Sequence, residues 1–407
     1  CELSAREKMT LLKMSDLSGS LAGIDFSPYI TGYPIIDGNY YALAKTWNAP
    51  EMKRPGCVWL HTLLISLRLL SRLKDFANLE TLFKKPDVKN LKSFSTAIQY
   101  QSTSRDGEIP NRASFDSLVY RVYENANKPI LFTGDFSDGI GQDLLNLWNY
   151  QWPRLRRTFS FCTGSFSIRY LDDKPLDLQV IPKDSDLIIN SNSLSEFVIL
   201  RTFSRETSSV SSWYSLFKES NLEDVLKFMF KYGADVDGNR NRYVSLFLAF
   251  KFDEQFYSFD NALSQTVKFI QQHFPNPNEA KVLKKDLLLR LFDKEKKNKY
   301  YFLIQRLSNA KENKPFDEIE LEYSKLISDL WKREVISKIE LADILKQIDF
   351  EKLGEDASQL LSSIPIDSWM ELEWLTKDTI LKVLLLNSTI VDESIIWSAE
   401  NSKQALW

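Results

Sequence analysis

Histidine, cysteine and glycine are scarce in this chain, with two, three and thirteen of them among 407 residues. Each scarcity excludes something. Cys1, Cys57 and Cys162 are odd in number and far apart, which is not a disulfide framework. A reducing cytosol fits them. Together with His61 and His273 they show none of the four-ligand spacing of a zinc site, so neither a metal nor a cofactor is expected. The glycine-bearing stretches "SDLSGSLAG", "TGDFSDGIGQD" and "DGNRNRY" all lack the Gly-Lys-Ser/Thr ending of a phosphate loop, so nucleotide hydrolysis by this chain is not expected. Long apolar runs are missing too: "VLLLN" at 383–387 falls far short of the roughly 18 residues that a membrane span needs. The opening "CELSAREK" is charged and polar, unlike a signal peptide, and a cytoplasmic protein without membrane contact is expected.

Aromatic residues are plentiful, at 13% of the chain. That favours large cores or interfaces with aromatic anchors. A formal net charge of −3 exerts no general pull on nucleic acid or anionic lipid, so such binding would need a local patch. The length exceeds one ordinary domain, and two textures divide it. Residues 1–205 mix short apolar runs with Gly, Pro, Asp and Asn; extended segments are expected at 40–47, 58–65, 129–133, 158–170 and 177–189. Helices are expected at 67–83, 114–126 and 138–150. Residues 206–407 read as almost wholly helical, for example "NLEDVLKFMFKYG", which starts on an Asn cap and stops at Gly233. The expected fold is an α+β N-terminal domain with a motif-bearing β-hairpin, followed by an all-α helical array or bundle. The soft boundary lies in the Ser-rich stretch 204–213.

The hairpin is read from "YYALAKTWNAPEMKRPGCVWLHTLLI" at 40–65. Asn48-Ala49-Pro50 ends one strand, and Pro55-Gly56 suits the centre of a type II turn before the next. Trp47 and Trp59 are expected to pack into the core. In the second strand Cys57 and His61 are four residues apart, roughly 13 Å at about 3.3 Å per residue, too far to share a proton. A dyad of His61 with Cys162 needs only spatial adjacency and stays open. Its bland counterpart is a small buried thiol and a satisfied imidazole. In "WPRLRRTF", Arg154, Arg156 and Arg157 stand beside Trp148 and Trp152, a composition that suits phosphates and stacked bases or a protein hot spot. The acidic balance favours protein. Trp397 and Trp407, near the C-terminus, are further anchor candidates.

"SDLSG" at 15–19, "YITGYPI" at 29–35, "YALAKTWNAPEMKRPGCVWLHTLLI" at 41–65 and "FCTGSFSIRY" at 161–170 resemble the N-terminal domain of the GTPase-associated protein 1 family over roughly residues 10–170. Family members are bacterial proteins encoded beside GTPases or ATPases in antiphage and other conflict systems. The resemblance implies a non-catalytic scaffold, sensor or regulatory subunit that contacts a GTPase, ATPase or effector protein. Glu51, Arg54, Trp47 and Trp59 of the hairpin, with the three arginines, are then the contact candidates. The alternatives are a hydrolase- or peptidase-like enzyme using His61 with Cys57 or Cys162, and a nucleic-acid sensor using Arg154, Arg156 and Arg157.

Overall fold

The computed structural model describes residues 3–15, 26–35, 39–54, 56–100, 113–124, 126–134, 139–182, 195–200, 212–294 and 315. They fall into two compact units, Cys1–Gln255 and Phe256–Trp407. The fold is α+β, as the sequence implies. The change of texture at 205/206 lies among residues 201–211, outside the described residues.

The first unit is built on a seven-stranded sheet of order β3-β2-β1-β5-β8-β4-β9. Its strands are β1 (Tyr29–Pro34), β2 (Tyr40–Asn48), β3 (Val58–Ser66), β4 (Ile130–Thr133), β5 (Phe161–Cys162), β8 (Leu178–Ile181) and β9 (Val198–Leu200). The β3-β2-β1-β5 half is antiparallel, and the β5-β8-β4-β9 half is parallel. All four residues of β4, "ILFT", are buried, as a parallel strand covered on both faces requires. A separate hairpin, β6 (Tyr170–Leu171) and β7 (Lys174–Pro175), turns through Asp172 and Asp173 at φ 45° and 63°, the left-handed pair of a tight hairpin turn.

Two helices cover the antiparallel half. On one face α1 (Ala5–Ser15) brings Met14 and Leu11 against Tyr29, Tyr33, Ala42 and Cys162. The four-residue helix α2 (Leu67–Leu70) and the twelve-residue helix α3 (Ala113–Glu124) lead to α4 (Ile140–Asn149). On the opposite face α4 inserts Trp148, whose ring lies 4.6 Å from Tyr41, 4.4 Å from Phe76 and 5.9 Å from Phe161. The helix expected over 67–83 is broken: α2 gives way to a 3-10 turn at Ala77–Leu82. Asp75 Oδ1 accepts from the Asn78 N–H at 3.1 Å, a side-chain bond that competes with helix continuation. β1 escapes a plain reading because Gly32 and Pro34 interrupt its pattern. Gly32 is needed there: a Cβ would lie 2.6 Å from the Phe161 ring and 2.7 Å from the Tyr41 hydroxyl.

Helices α5 (Pro153–Thr158), α6 (Ser212–Glu219), α7 (Leu222–Tyr232) and α8 (Tyr243–Gln255) complete the first unit. Asn221 caps α7 by accepting from Glu223 and Asp224, and Gly233 follows its last turn. Tyr243 stacks on Tyr123 at 3.6 Å, and Phe217, Phe247 and Trp213 continue the aromatic core. In the second unit α9 (Ala262–His273) begins on Asn261 and ends before Pro275, and α10 (Lys281–Lys294) follows. The further helices expected between 295 and 407 lie outside the described residues, as do Trp397 and Trp407.

Candidate functional site

The hairpin forms in full register, from Tyr40 opposite Ser66 to Asn48 opposite Val58. Cys57 N–H donates to Arg54 O, and Gly56 sits at φ 79°, the left-handed position that a type II turn reserves for glycine. Trp47 faces Trp59 across the strands, but both are only half-buried, contrary to their expected place in the core. They lie near the turn end of the hairpin. Trp59 Nε1–H donates to the Glu51 carboxylate, and that bond lowers the Glu51 pKa. Lys45 lies 5.9 Å from the Trp47 ring and pairs with Glu80 at 2.7 Å. Glu51, Lys53 and Arg54 are exposed on the loop. Trp59→Ala is therefore expected to cost about 1–2 kcal/mol, as a half-buried ring gives up limited area, in a thermal melt against the parent.

His61, 7% exposed, acts as a buckle. Its Nδ1 accepts from the Lys84 N–H at 3.2 Å, and the edges of Phe83 and Phe94 close on the ring at 5.6 and 4.7 Å. An accepting Nδ1 leaves the proton on Nε2 of a neutral ring. Burial, with Lys84 nearby, holds its pKa below the ordinary 6.5. The stability that depends on the neutral ring is complete above the unfolded value of 6.5 and declines as pH falls through it toward the folded value. The melting temperature should fall between about pH 7.5 and pH 5, and His61→Gln, which keeps an acceptor but does not titrate, should flatten part of that slope. An unchanged slope in the variant would contradict the assignment.

The cysteines stand apart from His61. Cys162 is opposite Thr31, Thr31 is opposite Ala44, and Ala44 is opposite Thr62. His61 belongs to the adjoining row with Lys45 and Ile30. Neighbouring rows point to opposite faces, so Cys162 and His61 lie on different sides of the sheet, across three strand spacings of about 4.8 Å. The Cys162 Sγ is 3.3 Å from Thr31 Oγ1 in a fully buried setting. Cys57 lies at the turn, half-buried, four residues before His61 along the strand. The structure brings none of the three together.

The arginine cluster also divides. Arg156 is 1% exposed. Its Nη1 donates to Leu73 O at 2.9 Å and its Nη2 to Asn149 O at 2.7 Å, while Phe76 and Phe230 each lie 4.8 Å from the guanidinium. Burial pushes its pKa down to about 9. Trp148 and Trp152 are fully buried, so they offer no stacking platform to bases. Arg154 and Arg157 are exposed, and Arg154 donates to Val236 O at 3.3 Å. Within α4 the spacing of Leu144, Leu147 and Trp148, at three and four residues from Leu144, was the signal that Trp148 faces the core.

A cleft of about 400 Å³ lies beside Lys128, Lys174, Asp177, Asn239 and Arg240. The sequence did not single out Asp177. Arg240, buried, pairs with Asp177 at 3.1 Å and donates to Val122 O and Lys128 O, so its side chain is spent on joining the sheet to the helices. The cleft opens at the N-terminal ends of β4 and β8, whereas open parallel sheets take ligands at the carboxyl ends. Among the described residues no group of three or more His, Cys, Asp or Glu side chains could hold a metal ion, and no helix is long and apolar enough to cross a membrane.

No curated protein and no solved structure matches the chain. A family-model match falls on the hairpin and its surroundings. It contains three of the four stretches that carry the resemblance and leaves "FCTGSFSIRY" at 161–170 outside. Residues 1–83 match the family model of GTPase-associated protein 1, N-terminal domain type 1.

Proposed function

We propose that this chain is a non-catalytic scaffold, sensor or regulatory subunit that binds a GTPase, ATPase or effector encoded beside it, in a bacterial antiphage or conflict system. One observation carries the reading: the chemically able side chains are occupied in holding the fold. His61 spends its acceptor nitrogen on Lys84, Cys162 is buried against Thr31 on the other face, and Arg156 binds backbone carbonyls. Among the residues that the matched region turns outward are Glu51, Lys53 and Arg54 of the hairpin loop. The family's name supports a GTPase as the first partner to test.

The test mixes the purified full chain with that GTPase. The chain alone should release no phosphate from GTP or ATP, and the two proteins should co-elute in size-exclusion chromatography. Phosphate release by the chain alone, abolished in His61→Gln, would replace this reading with the enzymatic one.

A further inference from the structure

Among the described residues β3 is the edge strand of the sheet, with no strand on its outer side. Two hydrogen bonds fix which backbone groups point outward. Ala49 N–H donates to Cys57 O at 3.2 Å, and Leu67 N–H donates to Asn39 O at 2.7 Å, one at each end of the strand. In an antiparallel ladder the residues of such bonded pairs alternate with residues whose N–H and C=O face away. In the register of this hairpin, residues 57, 59, 61, 63, 65 and 67 therefore face β2, and Val58, Leu60, Thr62, Leu64 and Ser66 present theirs to the outside. The Ser66 C=O is taken up at the start of α2, which Ser66 caps, and among the described residues no turn or loop backbone bond reaches the outward groups of Val58, Leu60, Thr62 and Leu64.

Natural edge strands are kept from pairing by shortness, charge, proline or bulges. β3 has none of these: it is nine residues long, "VWLHTLLIS", without a charged residue or a proline, and pairs with β2 residue for residue. The side chains belonging to the outward groups form a half-buried, mostly apolar row of Val58, Leu60, Thr62 and Leu64. On the other face the Lys84 amide is bonded to His61, which brings the exposed Lys84 and Lys85 beside the middle of the strand. Exposed Lys53 and Arg54 precede the strand, and exposed Arg68 and Arg72 follow it.

Charge selects the occupant. Between residues 51 and 92 there are nine Lys and Arg, all exposed, against four Asp and Glu, in a chain whose formal net charge is −3. All four acids are engaged within the unit: Glu51 by Trp59, Asp75 by the Asn78 amide, Glu80 by Lys45 and Asp87 by the amides of Lys89 and Asn90. We propose that β3 binds an extended acidic segment of a partner protein by strand addition. Main-chain bonds to residues 58–66 would supply affinity, apolar residues of the added strand would lie on the Val58–Leu64 row, and its acidic residues would lie toward Lys84 and Lys85. This proposal rests on the partner-binding reading above and names the partner's chemistry.

The probe is a fluorescent nine-residue peptide alternating valine and aspartate, titrated into the full chain and followed by anisotropy. The control peptide carries lysine in place of aspartate. The acidic peptide should bind at least ten-fold more tightly than the control, and its binding should weaken as salt rises, since the cations are exposed. Thr62→Pro removes one outward N–H and leaves the bonds to β2 intact, a position where an edge strand tolerates proline. It should fold and lose the peptide by at least ten-fold. Should Thr62→Pro fail to fold, Thr62→Glu, which sets a like charge against the acidic strand, should show the same loss. Equal binding of both peptides, binding of neither, or undiminished binding by the folded variant would overturn the proposal. So would tighter binding of a single-stranded oligonucleotide than of the acidic peptide, or peptide-insensitive dimerisation of the chain through this edge. If the peptide fails while the chain still co-elutes with the GTPase, only the strand-addition proposal falls; if co-elution fails too, the partner-binding reading falls with it.

Discussion

Arg156→Ala should destabilise the first unit by about 3–5 kcal/mol, because two buried carbonyls lose their donor and a cavity opens between two rings. The carbonyls are those of Leu73 and Asn149, and the rings those of Phe76 and Phe230. Arg156→Lys should recover only part of this loss. A lysine ammonium is a point charge that lacks the planar fork reaching both carbonyls and stacking on both rings. Chemical denaturation followed by tryptophan fluorescence measures it, since Trp148 donates its own Nε1–H to Arg156 O at 3.1 Å and reports on the same spot. Stability within about 0.5 kcal/mol of the parent, the usual effect of a surface change, would mean that Arg156 is a solvent-facing residue after all.

Trp148→Ala is the second large effect, about 3–5 kcal/mol for a fully buried indole. At about 2–4 °C per kcal/mol for a unit of this size, the melting temperature should drop by roughly 6–20 °C. Trp148 is where α4 meets the antiparallel sheet through Tyr41, Phe76 and Phe161, so its loss also uncouples the helix from the hairpin's base. A melt that moves by less than about 2 °C would place the indole outside the core, since that is under 1 kcal/mol. The contrast with Trp59 is informative. Two tryptophans that look alike in the sequence differ by about two-fold or more in expected cost, because one lies under a helix and the other beside a turn.

The hairpin was legible from residues 40–65 because its signals are local. Alternation defines the strands, Asn48-Ala49-Pro50 ends one of them, and Gly56 needs its positive φ. The Asn221 cap was legible for the same reason. Properties set by long-range packing were not. Nothing near residue 156 in the sequence says that Phe76 and Phe230 will enclose it, and an arginine among tryptophans reads equally as a binding site. The separation of His61 from Cys162 depends on strand order, which places β1 and β2 between them. The pairing of Asp177 with Arg240 spans 63 residues and leaves no local pattern.

The central claim is that the matched N-terminal region binds a protein partner through the hairpin and its basic surroundings. The most direct measurement is the dissociation constant between the full chain and the GTPase proposed as its partner, for the parent and for Arg54→Glu. Arg54 is exposed and sits at the turn, so the variant should fold with a stability within about 0.5 kcal/mol of the parent. The account predicts binding by the parent and a loss of at least ten-fold in the variant, through both the missing cation and the added like charge. Equal affinity of the two proteins for the GTPase, with both folded, would contradict it.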